Sequence, residues 1–237
     1  MRNIFLIMAS FLLCGSALYS CGVPGGEGIS ATRNFAGPDQ YPPTSFAAYG
    51  IVAFPSKATP EDQSRYAMIC DAYVASFPSV SEAGMPAQDQ MVTVWPIDDD
   101  VIATAINQPT TENVCDFAVK HYGLDIALHA IDDAERAAGK PLDDIGPYLL
   151  AWSPSIAKGN PSAIVLQSDL STVVTPLQAK TLFMHWRREI VENPGLWRAG
   201  WDMVGIKLTL RRWADAYGPA ALRIFGKSEG SDAPISR

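Results

Sequence analysis

Four short runs, Tyr49–Phe54, Met91–Trp95, Tyr148–Trp152 and Ala163–Gln167, constrain the fold of this chain most. The first, third and fourth are nearly continuous in apolar residues and lack the alternation of a strand with one wet face. Strands that are apolar on both sides must be covered on both sides, and helices supply that cover. Met91-Val92-Thr93-Val94-Trp95 carries one hydroxyl, which suits a position nearer an edge, and Pro96 ends it.

Helix signals lie between these runs. Thr59-Pro60-Glu61-Asp62 offers a cap, a proline for the first helical position and acids for the positive helix end, ahead of a stripe of Tyr66, Ile69, Cys70, Tyr73 and Phe77. Thr175-Pro176-Leu177-Gln178 reads as a capping box before Ala179, Leu182, Phe183, Trp186 and Ile190. Asn193-Pro194 stops that helix, and a last one carries Met203, Ile206, Leu210, Trp213 and Tyr217 up to Gly218-Pro219. In the middle, Cys115, Ala118, Val119 and Tyr122 form one stripe, while Leu124, Leu128 and Ile131 form another about half a turn away. One straight helix cannot bury both, so a break is expected at Gly123. The order predicts a single α/β domain over residues 46–226, a small mixed sheet of about four strands packed by about five helices. A helical crossover makes the first two strands parallel, and the loop Ser153–Ser162 makes the last two antiparallel neighbours.

The N-terminus reads as an address. Met1-Arg2-Asn3 is positively charged, Ile4–Leu13 is an uncharged apolar run, and small residues follow at Cys14-Gly15-Ser16-Ala17, the plan of a secretory signal peptide over residues 1–20. Leu18-Tyr19-Ser20-Cys21 resembles a bacterial lipobox, although Tyr19 departs from the small or β-branched residue that pattern prefers. The resemblance implies a lipid on Cys21 and a cell-envelope location facing the periplasm; cleavage after Ala17 and soluble secretion is the alternative. Residues 21–45, rich in Gly, Pro and small polar side chains, read as a tether, and residues 227–237 as a disordered tail.

Chemistry-bearing patterns are few. No G-x-S-x-G, H-E-x-x-H, P-loop or dinucleotide fingerprint is present, and no cofactor or metal is expected. Ser155-Ile156-Ala157-Lys158 fits S-x-x-K, in which a helical turn brings an amine to a hydroxyl, but helix breakers flank it. Asp98-Asp99-Asp100 suits a helix N-terminus, and lacks the oxygen ligand, glycine and glutamate that a calcium loop needs further on. His121, Asp125 and His129 share a four-residue spacing that the break at Gly123 spoils for metal binding. His185 stands alone, and Asp169 reads as a strand end with Ser171 in the turn.

Charge is distributed unevenly. The 237 residues hold 18 Lys+Arg against 25 Asp+Glu, a net −7 that argues against nucleic acid as a partner. From Pro176 onward the balance is +4, with four of the six tryptophans. Arg and Trp are enriched at binding hot spots, so Arg187, Arg188, Trp197, Trp201, Arg211 and Arg212 form the candidate interface for an acidic protein partner; Trp197 and Trp201, in a connection, are expected to be exposed. With Cys14 removed and Cys21 acylated, Cys70 and Cys115 remain, both on inward stripes, and an oxidising compartment favours a disulfide between them. The sequence predicts an exported chain, membrane-associated through its lipid, acting by binding as an envelope accessory or assembly component. A periplasmic hydrolase with its site at the strand ends near residues 153–162 is the alternative.

Overall fold

The computed structural model describes residues 30–142 and 145–207, and the backbone of Arg223–Phe225. The signal segment, Cys21, Arg211, Arg212, Trp213 and the tail lie outside the described residues.

The fold is mixed α/β, and its sheet has six strands in the order β1-β3-β2-β4-β5-β6. They are β1 (Ser30–Ala36), β2 (Ala48–Ala53), β3 (Gln90–Pro96), β4 (Tyr148–Trp152), β5 (Val165–Asp169) and β6 (Arg223–Phe225). β1 and β2 both run parallel to β3, and β4, β5 and β6 follow in antiparallel sequence. Every residue of β2, β3 and β4 is buried, which is why β2 and β4 are apolar on both sides, while Gln90 and Thr93 of β3 find hydrogen-bond partners at Met85 and Trp186. The fourth strand sits two residues later than Ala163–Gln167, so Asp169 closes it and accepts from the Ser171 N–H at 2.8 Å.

The helices are α1 (Gln63–Ser76), α2 (Val80–Ala83), α3 (Asp100–Ile106), α4 (Val114–Lys120), α5 (Leu124–Ala138) and α6 (Pro176–Glu192), with a further helical turn over 203–207. α1 and α6 pack on each other over one face of the sheet, where the Trp186 indole donates to the Thr93 hydroxyl at 3.2 Å. α5 covers the other face, against β2 and its neighbours. A disulfide, Cys70–Cys115, joins α1 to α4.

Four expectations need correction. Residues 30–45 are not tether: β1 is an integral strand, and the domain begins at least at Ser30 rather than residue 46. Its polar side chains hid it, and tertiary partners satisfy them: Thr32 donates to Gln90 Oε1 at 2.9 Å and Arg33 Nε to the Phe77 carbonyl at 3.1 Å. The outer edge of β1 is closed by Asn107, whose amide accepts from the Phe35 N–H at 3.0 Å and donates to its carbonyl at 2.7 Å, as a neighbouring strand would. Gly37 then packs against α3, where a Cβ would lie 2.7 Å from Asp100 Cα. Secondly, α1 starts at Gln63, because Thr59–Asp62 forms a turn closed by the Thr59 N–H to Asp62 Oδ1 bond at 2.5 Å.

Thirdly, the chain does break at Gly123, where a Cβ would meet the Ile97 carbonyl carbon at 2.8 Å, but the inward face of α5 is not Leu124, Leu128 and Ile131. Ala127, Ala130, Ala134 and Ala137 face the sheet, since small side chains let the helix lie close, and Leu128 is exposed. Fourthly, Trp197 is buried, with its indole donating to the Ile190 carbonyl at 2.9 Å. Trp201 is half-buried, donating to the Ile164 carbonyl at 3.0 Å.

Candidate interaction surface

The capping box read at Thr175 forms: the Gln178 N–H donates to Thr175 Oγ1 at 3.3 Å, and Gln178 Oε1 accepts from the Thr175 N–H at 3.0 Å. This start sets the phase of α6, so that Ala179, Phe183, Trp186 and Ile190 point inward. The same phase turns Leu177, Met184 and Val191 outward at seven-residue intervals, 75%, 41% and 43% exposed. Lys180, Arg187 and Arg188 flank this stripe, and a groove of about 550 Å³ follows it.

The predicted interface residues divide here. Arg188 is exposed, 2.7 Å from His185 Nδ1 and 4.0 Å from Glu192. Burial, and then the nearby Arg188 cation, hold the His185 pKa below the usual imidazole range, which keeps this ring neutral at pH 7. Arg187 is half-buried and donates to the Ser76 carbonyl at 3.2 Å, so it fastens α6 to α1 while its stem borders the groove. Trp197 serves the core instead. The inward stripe of α6 does not reveal this outer apolar face; the sequence signal for it is the seven-residue spacing of Leu177, Met184 and Val191.

The loop after β4 gathers polar groups but assembles no nucleophile. Ser155 donates to the Thr44 and Phe46 carbonyls, at 3.2 and 2.6 Å, and Ser153 donates to the Trp197 carbonyl. The Lys158 ammonium pairs with Asp133 of α5, which also binds Arg136, and sits 5.3 Å from the Tyr41 ring centroid. Tyr41 and Tyr49 join their hydroxyls at 3.2 Å, and burial pushes both phenol pKa values up, so neither ionises at neutral pH. The short helical turn Ser155–Ala157 therefore gives the S-x-x-K hydroxyl and amine separate structural partners.

The remaining acids are also structural. Asp99 caps α3, accepting from the Val101 and Ile102 N–H groups at 2.8 and 2.9 Å. Asp100 accepts from the Asp39 N–H, and Asp98 pairs with Lys57 at 3.3 Å and His121 at 3.4 Å. Among the described residues, no group of three or more His, Cys, Asp or Glu side chains is placed to hold a metal ion. Nor is any described helix long and apolar enough to cross a membrane.

The fold and this surface define a mixed α/β domain that displays one amphipathic helix face to solvent. Comparison of the chain with family models, curated proteins and solved structures finds no match.

Proposed function

We propose that this chain is an exported, lipid-anchored protein of the bacterial cell envelope whose α/β domain acts by binding, and that the outer face of α6 is where it binds. The observation that carries the reading is the exposed stripe Leu177, Met184 and Val191 bordered by Lys180, Arg187 and Arg188. Soluble surfaces rarely align apolar side chains at helical repeats unless something covers them. The seven-residue spacing suits a partner helix lying along α6, and the basic border suits acidic residues on that helix. The partner expected is therefore an acidic amphipathic segment of another envelope protein. The Cys70–Cys115 disulfide supports an oxidising compartment, and Leu18-Tyr19-Ser20-Cys21 supports the lipid anchor.

A photocrosslinking residue at position 184, introduced in cells, tests the binding face. It is expected to give a discrete adduct mapping to an acidic amphipathic segment, lost on Leu177→Ser with Val191→Ser. The same probe at Val101, 78% exposed in α3, is expected to give none. Equal labelling from positions 184 and 101, or an adduct that survives the double substitution, overturns the α6 reading.

A further inference from the structure

We propose that the end of the sheet where β1 begins rests on the lipid bilayer, with Ile156 and Val204 in the headgroup layer; this rests on the lipid-anchor reading of Cys21. Because β1 includes Ser30, at most residues 22–29 separate it from Cys21. Nine steps of chain reach no more than about 30 Å at full extension. β1 itself runs for seven residues, roughly 20 Å, before the opposite end of the sheet is reached. An acyl chain on Cys21 thus holds the Ser30 end of the domain nearer to the membrane than the far end, where α3 begins.

That near end carries exposed apolar side chains. Ser30 pairs with Gln90, and the adjacent Asp89 binds Arg198 at 2.6 Å, which brings the segment after α6 to this end. The segment then runs beside the β4–β5 loop: Gly200 approaches Pro154, and Trp201 donates to the Ile164 carbonyl at 3.0 Å. Ile156 follows Pro154 by two residues and Val204 follows the half-buried Trp201 by three, and the two are 76% and 72% exposed. Exposed aliphatic residues with an amphipathic indole are the side chains that enter a membrane interface. A weak contact suffices, because tethering makes it intramolecular. The outer surface of α6, which lies over one face of the sheet, stays open to a partner.

The test uses the mature, Cys21-acylated protein in vesicles of phosphatidylethanolamine and phosphatidylglycerol. Ile156→Cys, Val204→Cys and, at the far end, Val101→Cys each introduce one thiol for a nitroxide label; all three positions are exposed, so the fold is retained. Labels at 156 and 204 are expected to lose most of their collisions with a water-soluble nickel chelate and gain collisions with oxygen, while the label at 101 stays aqueous. Acylated protein with all three labels equally aqueous, or with 101 the shielded one, overturns the orientation and leaves the anchor standing. A mature chain without fatty acid on Cys21 overturns the anchor, and the orientation with it.

Discussion

Cys70 of α1 and Cys115 of α4 are bonded through their sulfurs, with Cα atoms 5.6 Å apart at a sequence separation of 45. Each lies on the buried stripe of its helix, so helix phase turns both sulfurs inward. The bond fastens α4 to the layer that α1 and α6 form over one sheet face.

Removing that bond lengthens the free chain of the unfolded state. The chain-entropy estimate for a loop of this size is about 4 kcal/mol. A Cys70→Ala, Cys115→Ala protein is expected to be less stable by an amount of that order, read as a lower urea midpoint. The oxidised wild type treated with an alkylating agent should take up none at either position. An unchanged midpoint would show that the crosslink adds nothing to stability.

Asp133 of α5 and Lys158 after β4 form an ion pair whose side chains are both largely enclosed. Asp133→Ala leaves the Lys158 ammonium without its carboxylate beside Tyr41, and loss of one partner of a buried pair costs about 3–5 kcal/mol. Arg136→Ala touches the same carboxylate from a half-exposed position and is expected to cost under about 1 kcal/mol. Equilibrium denaturation of both variants checks the ranking, and equal losses would contradict it.

The carboxyl groups of Asp71 and Asp116 each follow a half-cystine in sequence. Burial, and then the Asp116 charge, raise the Asp71 pKa in the folded state. The folded protein therefore holds that proton more tightly than the unfolded chain, and stability falls as pH rises from the unfolded pKa through the folded one. Asp71→Asn removes a charge that is unfavourable at neutral pH, so it is expected to raise the urea midpoint at pH 7. The difference should vanish below the usual carboxylate range, where wild-type Asp71 is protonated in both states. A variant less stable than wild type at pH 7 would contradict the sign.

Legibility from sequence tracked the range of the forces involved. The Thr175 capping box and the fully apolar β2 and β4 depend on neighbours within a few residues, and each has the form its sequence implies. The interface candidates fared differently: Arg188 is displayed, Arg187 is half-buried against α1, and Trp197 is enclosed. A tryptophan in a connection has no periodic neighbours to reveal which way it faces, so its burial is settled by what packs around it.

Sequence by itself determined the covered strands, the helices over and under them, and the phase that turns Cys70 and Cys115 toward the interior. Tertiary structure alone decided that Ser30–Ala36 is a strand, because its pairing partner Gln90–Pro96 lies some 60 residues away and Asn107 must close its edge. It also decided that α5 meets the sheet with alanines, since the distance between a helix and a sheet is a property of the packed layers and not of either segment. Local hydrogen bonds and helix phase are encoded within a few residues of chain, whereas the satisfaction of polar groups across a sheet edge exists only once distant segments have met.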